Sequence, residues 1–67
     1  MSPVALTARE LQVLELVARG RTNGQIGHTL SISTKTVSVH VSNLLAKLGA
    51  ASRTEAAALA RDRGLLP

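Results

Sequence analysis

The chain has 67 residues with no Cys, Phe, Tyr or Trp, and its eight Lys or Arg against four Asp or Glu give a net charge of +4. This length allows one small domain without disulfides, so its stability must come from helix packing, a partner subunit or a parent domain. The positive charge favours a polyanionic partner, while the lack of aromatic rings argues against single-strand and RNA binders, which stack bases on such rings.

The first helix is predicted by a capping box that follows a short entry segment. Residues 1–6 are expected to be a linker or a frayed amino terminus. Thr7 and Glu10 have the spacing at which a hydroxyl accepts from a backbone N–H three residues on while the carboxylate reaches back. This predicts a helix over residues 8–19, which Gly20 should end in a left-handed conformation. The inward side is expected to carry Glu10, Val13, Leu14 and Val17.

A second, shorter helix is predicted over residues 23–30, where Thr22 and Gln25 form another capping box. Two glycines lie inside it, and each costs about 1 kcal/mol relative to alanine in a helix interior. Gly27 is expected to allow a close approach of the next helix, whereas Gly24 has no such role. This helix should therefore be the weakest local former.

The third helix is the longest and is predicted over residues 34–48, with Ser33 as its cap and Gly49 as its stop. The turn before it spans residues 31–33, in which Ile32 should reach the core. An α-helix advances about 100° per residue, so one narrow stripe of this helix is apolar. The stripe expected to be buried comprises Val37, Val41, Leu44 and Leu48, with Leu45 beside it.

The last helix is predicted over residues 53–63, from a third capping box of Ser52 and Glu55 to a stop at Gly64. Residues 65–67 form a short tail. Four capped helices without strand-like alternation predict an all-α, four-helix bundle over residues 7–64, with a helix-turn-helix at about residues 22–41.

The outer face of the third helix is small, polar and, at its amino end, basic. Such a face lets a helix approach the floor of a DNA major groove, which is about 12 Å wide. Serine hydroxyls can donate or accept at base edges, and a valine can touch a thymine methyl. The residues expected to contact bases are Lys35, Ser38, Val39 and Ser42. The polar ones would equally suit a solvated surface, but an exposed Val39 has no packing role there.

Phosphate contacts are expected on one flank of the third helix and at the start of the second. Phosphates run beside a helix that lies in the groove, and a helix amino end is a ready anion site. The candidates are Arg21, Thr22, Asn23, Thr34, Thr36, His40, Asn43 and Lys47. His40 is interpreted as a structural or phosphate-binding histidine, not as a catalyst or metal ligand.

Many of these positions together resemble the LuxR-type (GerE-like) helix-turn-helix domain of bacterial transcription regulators. The resemblance covers about residues 6–60. It is carried by Leu6-Thr7-x-Arg9-Glu10-x-x-Val13-Leu14, Gly20-x-Thr22-Asn23-x-x-Ile26, Ile32-Ser33-x-x-Thr36-Val37-x-x-His40-x-x-Asn43-Leu44-x-x-Lys47-Leu48 and Ser52-Arg53-x-Glu55-Ala56.

The resemblance implies that residues 34–48 are the recognition helix and that the last helix makes a homodimer on two-fold symmetric DNA. It also implies a sensor domain upstream in the native protein. Three positions depart from the family pattern. Ser38 and Ser42 stand where lysine or arginine is common, and Gly27 stands where alanine is usual. The serines should weaken the electrostatic anchor, so an isolated monomer should bind DNA modestly.

The apolar side of the last helix admits two interpretations. Small residues let another helix come close, which suits a dimer interface, but the same residues would equally suit a role in covering the domain's own core. The candidates for the dimer interface are Ala56, Ala57, Leu59 and Ala60.

The expected function is sequence-specific binding of double-stranded DNA by a transcription regulator, with RNA polymerase as a candidate protein partner. The alternative is a promoter-recognition or polymerase-contacting module like that of a sigma factor. No nucleophile, base and orienting group can be assembled, so an enzyme is not expected, and neither is a cofactor or a metal. Because the chain lacks an apolar span of about 18 residues and a signal peptide, a cytoplasmic location without membrane insertion is expected.

Overall fold

The computed structural model describes residues 5–66, and this part of the chain contains four α-helices and no strand. They are α1 (Ala8–Ala18), α2 (Asn23–Leu30), α3 (Thr34–Leu48) and α4 (Arg53–Asp62). The predicted all-α class and the four helices are confirmed, with α1 and α4 each ending one residue earlier than expected. Residues 1–4 of the predicted linker and residue 67 of the predicted tail lie outside the described residues.

The first two capping boxes form as predicted. In α1 the Thr7 hydroxyl accepts from the Glu10 N–H at 3.1 Å, and the Glu10 carboxylate accepts from the Thr7 N–H at 2.8 Å. Thr22 and Gln25 repeat this exchange at 3.1 and 2.9 Å. Each box pairs two N–H groups that a helix start leaves without an intrahelical acceptor.

The third box forms only in part, which corrects the prediction for α4. The Ser52 hydroxyl accepts from the Glu55 N–H at 3.1 Å. The Glu55 carboxylate, however, accepts from the N–H of Ala51 at 2.9 Å instead of that of Ser52. The extended backbone of Ser52, at φ −152°, places the preceding N–H within reach of the carboxylate.

The core is built from aliphatic side chains of all four helices, and α3 packs against each of the other three. The predicted buried stripe of α3 is confirmed, since its four members are 0–7% exposed. The largest fully buried side chains are Leu14, Ile26, Leu44, Val13 and Val37. Burying this stripe turns the opposite side of α3 toward solvent.

The turn between α2 and α3 is closed by a tight backbone contact at Gly27. The Ile32 N–H donates to the Gly27 carbonyl at 2.9 Å. A Cβ on Gly27 would lie 2.6 Å from the Ile32 carbonyl oxygen, too close for an unstrained contact. The predicted use of Gly27 for close approach is confirmed, with the turn as its neighbour. Ser31 adopts the left-handed conformation at φ 58°, which no sequence pattern had predicted.

Candidate nucleic-acid interface

The outer face of α3 is exposed along its length. All four residues predicted to contact bases, Lys35, Ser38, Val39 and Ser42, lie on this exposed face. The Val39 side chain is 53% exposed, although valine usually lies inside proteins. The buried stripe on the opposite side fixes the rotation of α3 about its axis, so these side chains point outward together.

The amino end of α2 presents donors. The Thr22 hydroxyl already accepts from the Gln25 N–H, and the Asn23 side-chain oxygen accepts from the Arg53 guanidinium. What is left at both side chains is a donor, namely the Thr22 hydroxyl proton and the Asn23 amide NH₂. Because a phosphate diester only accepts hydrogen bonds, these donors and the exposed Arg21 beside them have the polarity that an anion needs.

The flank of α3 is less uniform than the sequence suggested. Thr34, Thr36 and Asn43 are exposed, but His40 is half-buried. The Thr36 hydroxyl lies 2.8 Å from the hydroxyl of Ser33, the cap of α3, so it also helps to fix the start of the helix.

Lys47, a predicted phosphate contact, also makes an ion pair that the sequence did not predict. Its Nζ donates to Oε1 of Glu10 at 2.7 Å, which ties the last turn of α3 to the first turn of α1. The Glu10 side chain is 4% exposed and that of Lys47 is 33% exposed. The remaining donors of Lys47 can still face a phosphate, so that contact stays a prediction, but the residue also neutralises a buried carboxylate.

The same contacts shift the titration of Glu10. The hydrogen bond from Lys47 and then that from the Thr7 N–H favour the ionised carboxylate, and together they outweigh the effect of burial. The pKa of Glu10 is therefore lowered from its ordinary value.

Three arginines, two in α4 and one directly after it, donate hydrogen bonds to backbone carbonyls of earlier segments. Arg61 donates to the Ala18 carbonyl at 3.3 Å and Arg63 to the Leu48 carbonyl at 3.4 Å, at the carboxyl ends of α1 and α3. Arg53 donates to the Arg21 carbonyl at 2.7 Å. Cations are stabilising at helix carboxyl ends, where carbonyls lack partners. Sequence reasoning missed these roles because each contact joins residues far apart in the chain.

The dimer-interface candidates of α4 divide into two groups, and for three of them burial favours the interpretation as core residues. Ala56 and Ala60 are fully buried in the chain's own core, and Ala57 is 7% exposed. A side chain that its own chain already covers offers no surface to a partner. Leu59 is half-buried and keeps an accessible part, so it is the candidate that stays a prediction.

Within residues 5–66, no group of three or more His, Cys, Asp or Glu side chains is placed to hold a metal ion. No helix in this range is long and apolar enough to span a bilayer.

A family model described as bacterial regulatory proteins, luxR family, matches residues 4–60. The chain is 47% identical over 62 residues to the transcriptional regulatory protein LiaR of Bacillus subtilis (strain 168), an alignment that covers 92% of this chain and 29% of LiaR. It is 43% identical over 61 residues to the response regulator protein VraR of Staphylococcus aureus (strain NCTC 8325 / PS 47), with 91% and 29% covered.

A similar solved structure is that of the Vibrio cholerae VqmA dimer in the absence of its target DNA, which belongs to the LuxR-type receptors. Its TM-score is 0.89 at 38% identity, and the match covers 96% of this chain and 30% of that one. The chain thus spans less than a third of the length of the proteins it matches. LiaR and VraR are regulators, which favours the regulator interpretation over the sigma-factor alternative and over an enzyme.

Proposed function

The chain belongs to the luxR family of bacterial regulatory proteins, as a helix-turn-helix DNA-binding domain of a transcription regulator, and from this premise we propose that α3 reads double-stranded DNA in the major groove. Lys35, Ser38, Val39 and Ser42 contact base edges, and the amino end of α2 holds a phosphate. The observation that carries the proposal is the exposed, small and polar face of α3, with Val39 at 53% exposure, opposite a buried stripe.

The two sets of contacts serve different ends. Phosphate contacts supply affinity that does not depend on sequence and weakens with salt, because bound cations displace counterions. Base-edge contacts supply preference among sequences. Lys35 is the one cation among the four base-contact candidates, so this groove face carries little charge and affinity depends largely on the phosphate contacts.

The experiment compares groove and phosphate variants by fluorescence anisotropy on a panel of labelled duplexes, each titrated with salt. We expect Val39→Ala and Ser42→Ala to change the order of preference among duplexes. Arg21→Ala should weaken binding to every duplex alike and reduce the slope of log K against log salt by about 0.9, the value for one phosphate contact. If groove and phosphate variants behave alike on every duplex, the groove assignment is wrong.

We further infer that the domain acts as a homodimer on two-fold symmetric DNA, through the accessible side of α4 around Leu59. The modest charge of the groove face supports this, because two linked readers multiply their affinity without new contacts. A sensor domain elsewhere in the native protein and a contact with RNA polymerase also belong to this proposal. The sensor domain follows from the family resemblance, and the VqmA dimer is a precedent for pairing in a LuxR-type receptor.

A further inference from the structure

A cleft of about 590 Å³ lies between the carboxyl end of α1, the amino end of α2 and the start of α4. Arg53 forms part of its wall. One terminal nitrogen of its guanidinium donates to the side-chain oxygen of Asn23, and the other donates to the carbonyl of Arg21 at 2.7 Å. A single side chain of α4 therefore holds the backbone that leads into α2 and the first side chain of that helix.

The contact with Arg53 fixes the orientation of the Asn23 amide. A guanidinium has donors only, so the amide must turn its oxygen toward Arg53 and its NH₂ away from it. Asn23 is partly exposed, and its NH₂ is therefore offered to an external acceptor. The backbone N–H groups of Asn23 and Gly24 lie in the first turn of α2, where helix geometry gives them no intrahelical partner.

We propose that Arg53 is a positioning residue for DNA binding: it orients the Asn23 amide and the amino end of α2 toward a phosphate without contacting the DNA itself. This inference rests on the proposed phosphate contact of α2. The two arginines differ in their contacts. Both terminal nitrogens of Arg53 donate to acceptors within the chain, whereas the side chain of neighbouring Arg21 makes no hydrogen bond within residues 5–66.

The salt dependence of binding to a mixed-sequence duplex separates positioning from direct contact, since phosphate contacts do not require a defined sequence. We expect Arg53→Ala to weaken binding about tenfold, roughly the effect of one lost charge-assisted contact, while the salt slope stays at the wild-type value. The matched control, Arg21→Ala, should reduce that slope by about 0.9. If Arg53→Ala reduces the slope as Arg21→Ala does, Arg53 contacts a phosphate directly and the proposal is overturned.

A double-mutant cycle with Asn23 tests the connection between the two residues. If Arg53 acts through the amide, Arg53→Ala should cost much less affinity in an Asn23→Ala background than in the wild type. Additive losses would overturn the proposal. Arg53→Lys keeps the charge but cannot bond to both acceptors as a guanidinium does, so it should rescue less than half of the lost affinity. Full rescue would mean that charge alone matters.

Asn23→Asp keeps the test valid if Arg53→Ala does not fold. A carboxylate retains the acceptor for Arg53, so thermal unfolding should occur at the wild-type temperature or above it. The same carboxylate faces the phosphate, so affinity should fall below that of Asn23→Ala. Affinity at the wild-type level would overturn the proposal. If the wild-type chain binds no duplex even at low salt, the proposed function fails. If the wild-type chain binds DNA but the Arg53 and Asn23 variants do not show the predicted effects, this inference alone fails.

Discussion

Gly24 and Gly27 lie in the same short helix, but their surroundings differ. A Cβ on Gly24 would meet only the Thr22 hydroxyl, at an ordinary contact distance of 3.9 Å. A Cβ on Gly27 would press on the backbone of the turn at 2.6 Å. The sequence-based view that Gly24 has no packing role agrees with this geometry.

We therefore expect Gly24→Ala to raise the free energy of unfolding by up to about 1 kcal/mol, because alanine is the better helix former. The free energy of unfolding of Gly27→Ala should be at least about 1 kcal/mol lower than that of Gly24→Ala, because strain in the turn opposes the same gain in helix propensity. Urea unfolding followed by circular dichroism measures both. Equal stabilisation by the two substitutions would show that the turn adapts to a side chain.

The pair of Glu10 and Lys47 is the second feature at the scale of single residues. The folded state lowers the pKa of Glu10, so it stabilises the ionised carboxylate relative to the unfolded chain. This contribution is present above the ordinary pKa near 4.5 and is lost as the pH falls through the lower folded pKa.

Glu10→Gln should cost about 1–3 kcal/mol at neutral pH, because it leaves Lys47 without its charged partner. The cost should shrink as the pH is lowered through and below 4.5, where the wild-type carboxylate becomes protonated. Urea unfolding at several pH values measures this. Glu15→Gln removes an equal charge from the same helix without touching Lys47, and its neutral-pH cost should be much smaller. A pH-independent difference between Glu10→Gln and the wild type would contradict the assignment.

At the scale of elements, the way α4 packs on the core decides which of its alanines face inward. Ala60 is fully buried, whereas Ala58, two residues before it, is exposed. From the sequence, the small residues of this helix suited either a dimer interface or the core. Packing against α1 and α3 selects the core for Ala56 and Ala60.

Ala60→Leu should lower the free energy of unfolding by about 1–3 kcal/mol, because the extra volume overpacks a closed core. Ala58→Leu should change it by no more than about 0.5 kcal/mol, as is usual for a surface substitution. Chemical unfolding at low protein concentration, where association plays no part, compares the two. If Ala60→Leu left the free energy of unfolding unchanged, this side of α4 would not be closely packed.

At the scale of the whole molecule, the positive charge is divided between structure and surface. Four of the eight cations, Lys47, Arg53, Arg61 and Arg63, donate hydrogen bonds within the described part of the chain. The net charge of +4 still favours a polyanion, but the cations best placed for direct contact at the proposed interface are Lys35 and Arg21. This charge distribution agrees with a domain that gains affinity for DNA by forming a dimer.

If Leu59 lies in a dimer interface, Leu59→Glu should weaken self-association, because an interface core excludes unpaired charge. Affinity for a two-fold symmetric duplex should fall at least about tenfold, since bivalent binding is lost. Affinity for a single half-site should stay at the wild-type value and serves as the control. Sedimentation velocity and anisotropy measure the two effects, and an equal loss on both duplexes would argue against the interface.

The four helices, the inward stripe of α3 and hence its exposed face could be predicted from the sequence alone, because caps, glycine stops and apolar periodicity act within a few residues of one another. The sequence also carried the family resemblance that the comparisons confirm. The partners of Lys47, Arg53, Arg61 and Arg63 and the inward position of the α4 alanines, by contrast, depend on the tertiary structure. These contacts join segments up to 43 residues apart, and their geometry depends on how the helices pack, which no local pattern encodes.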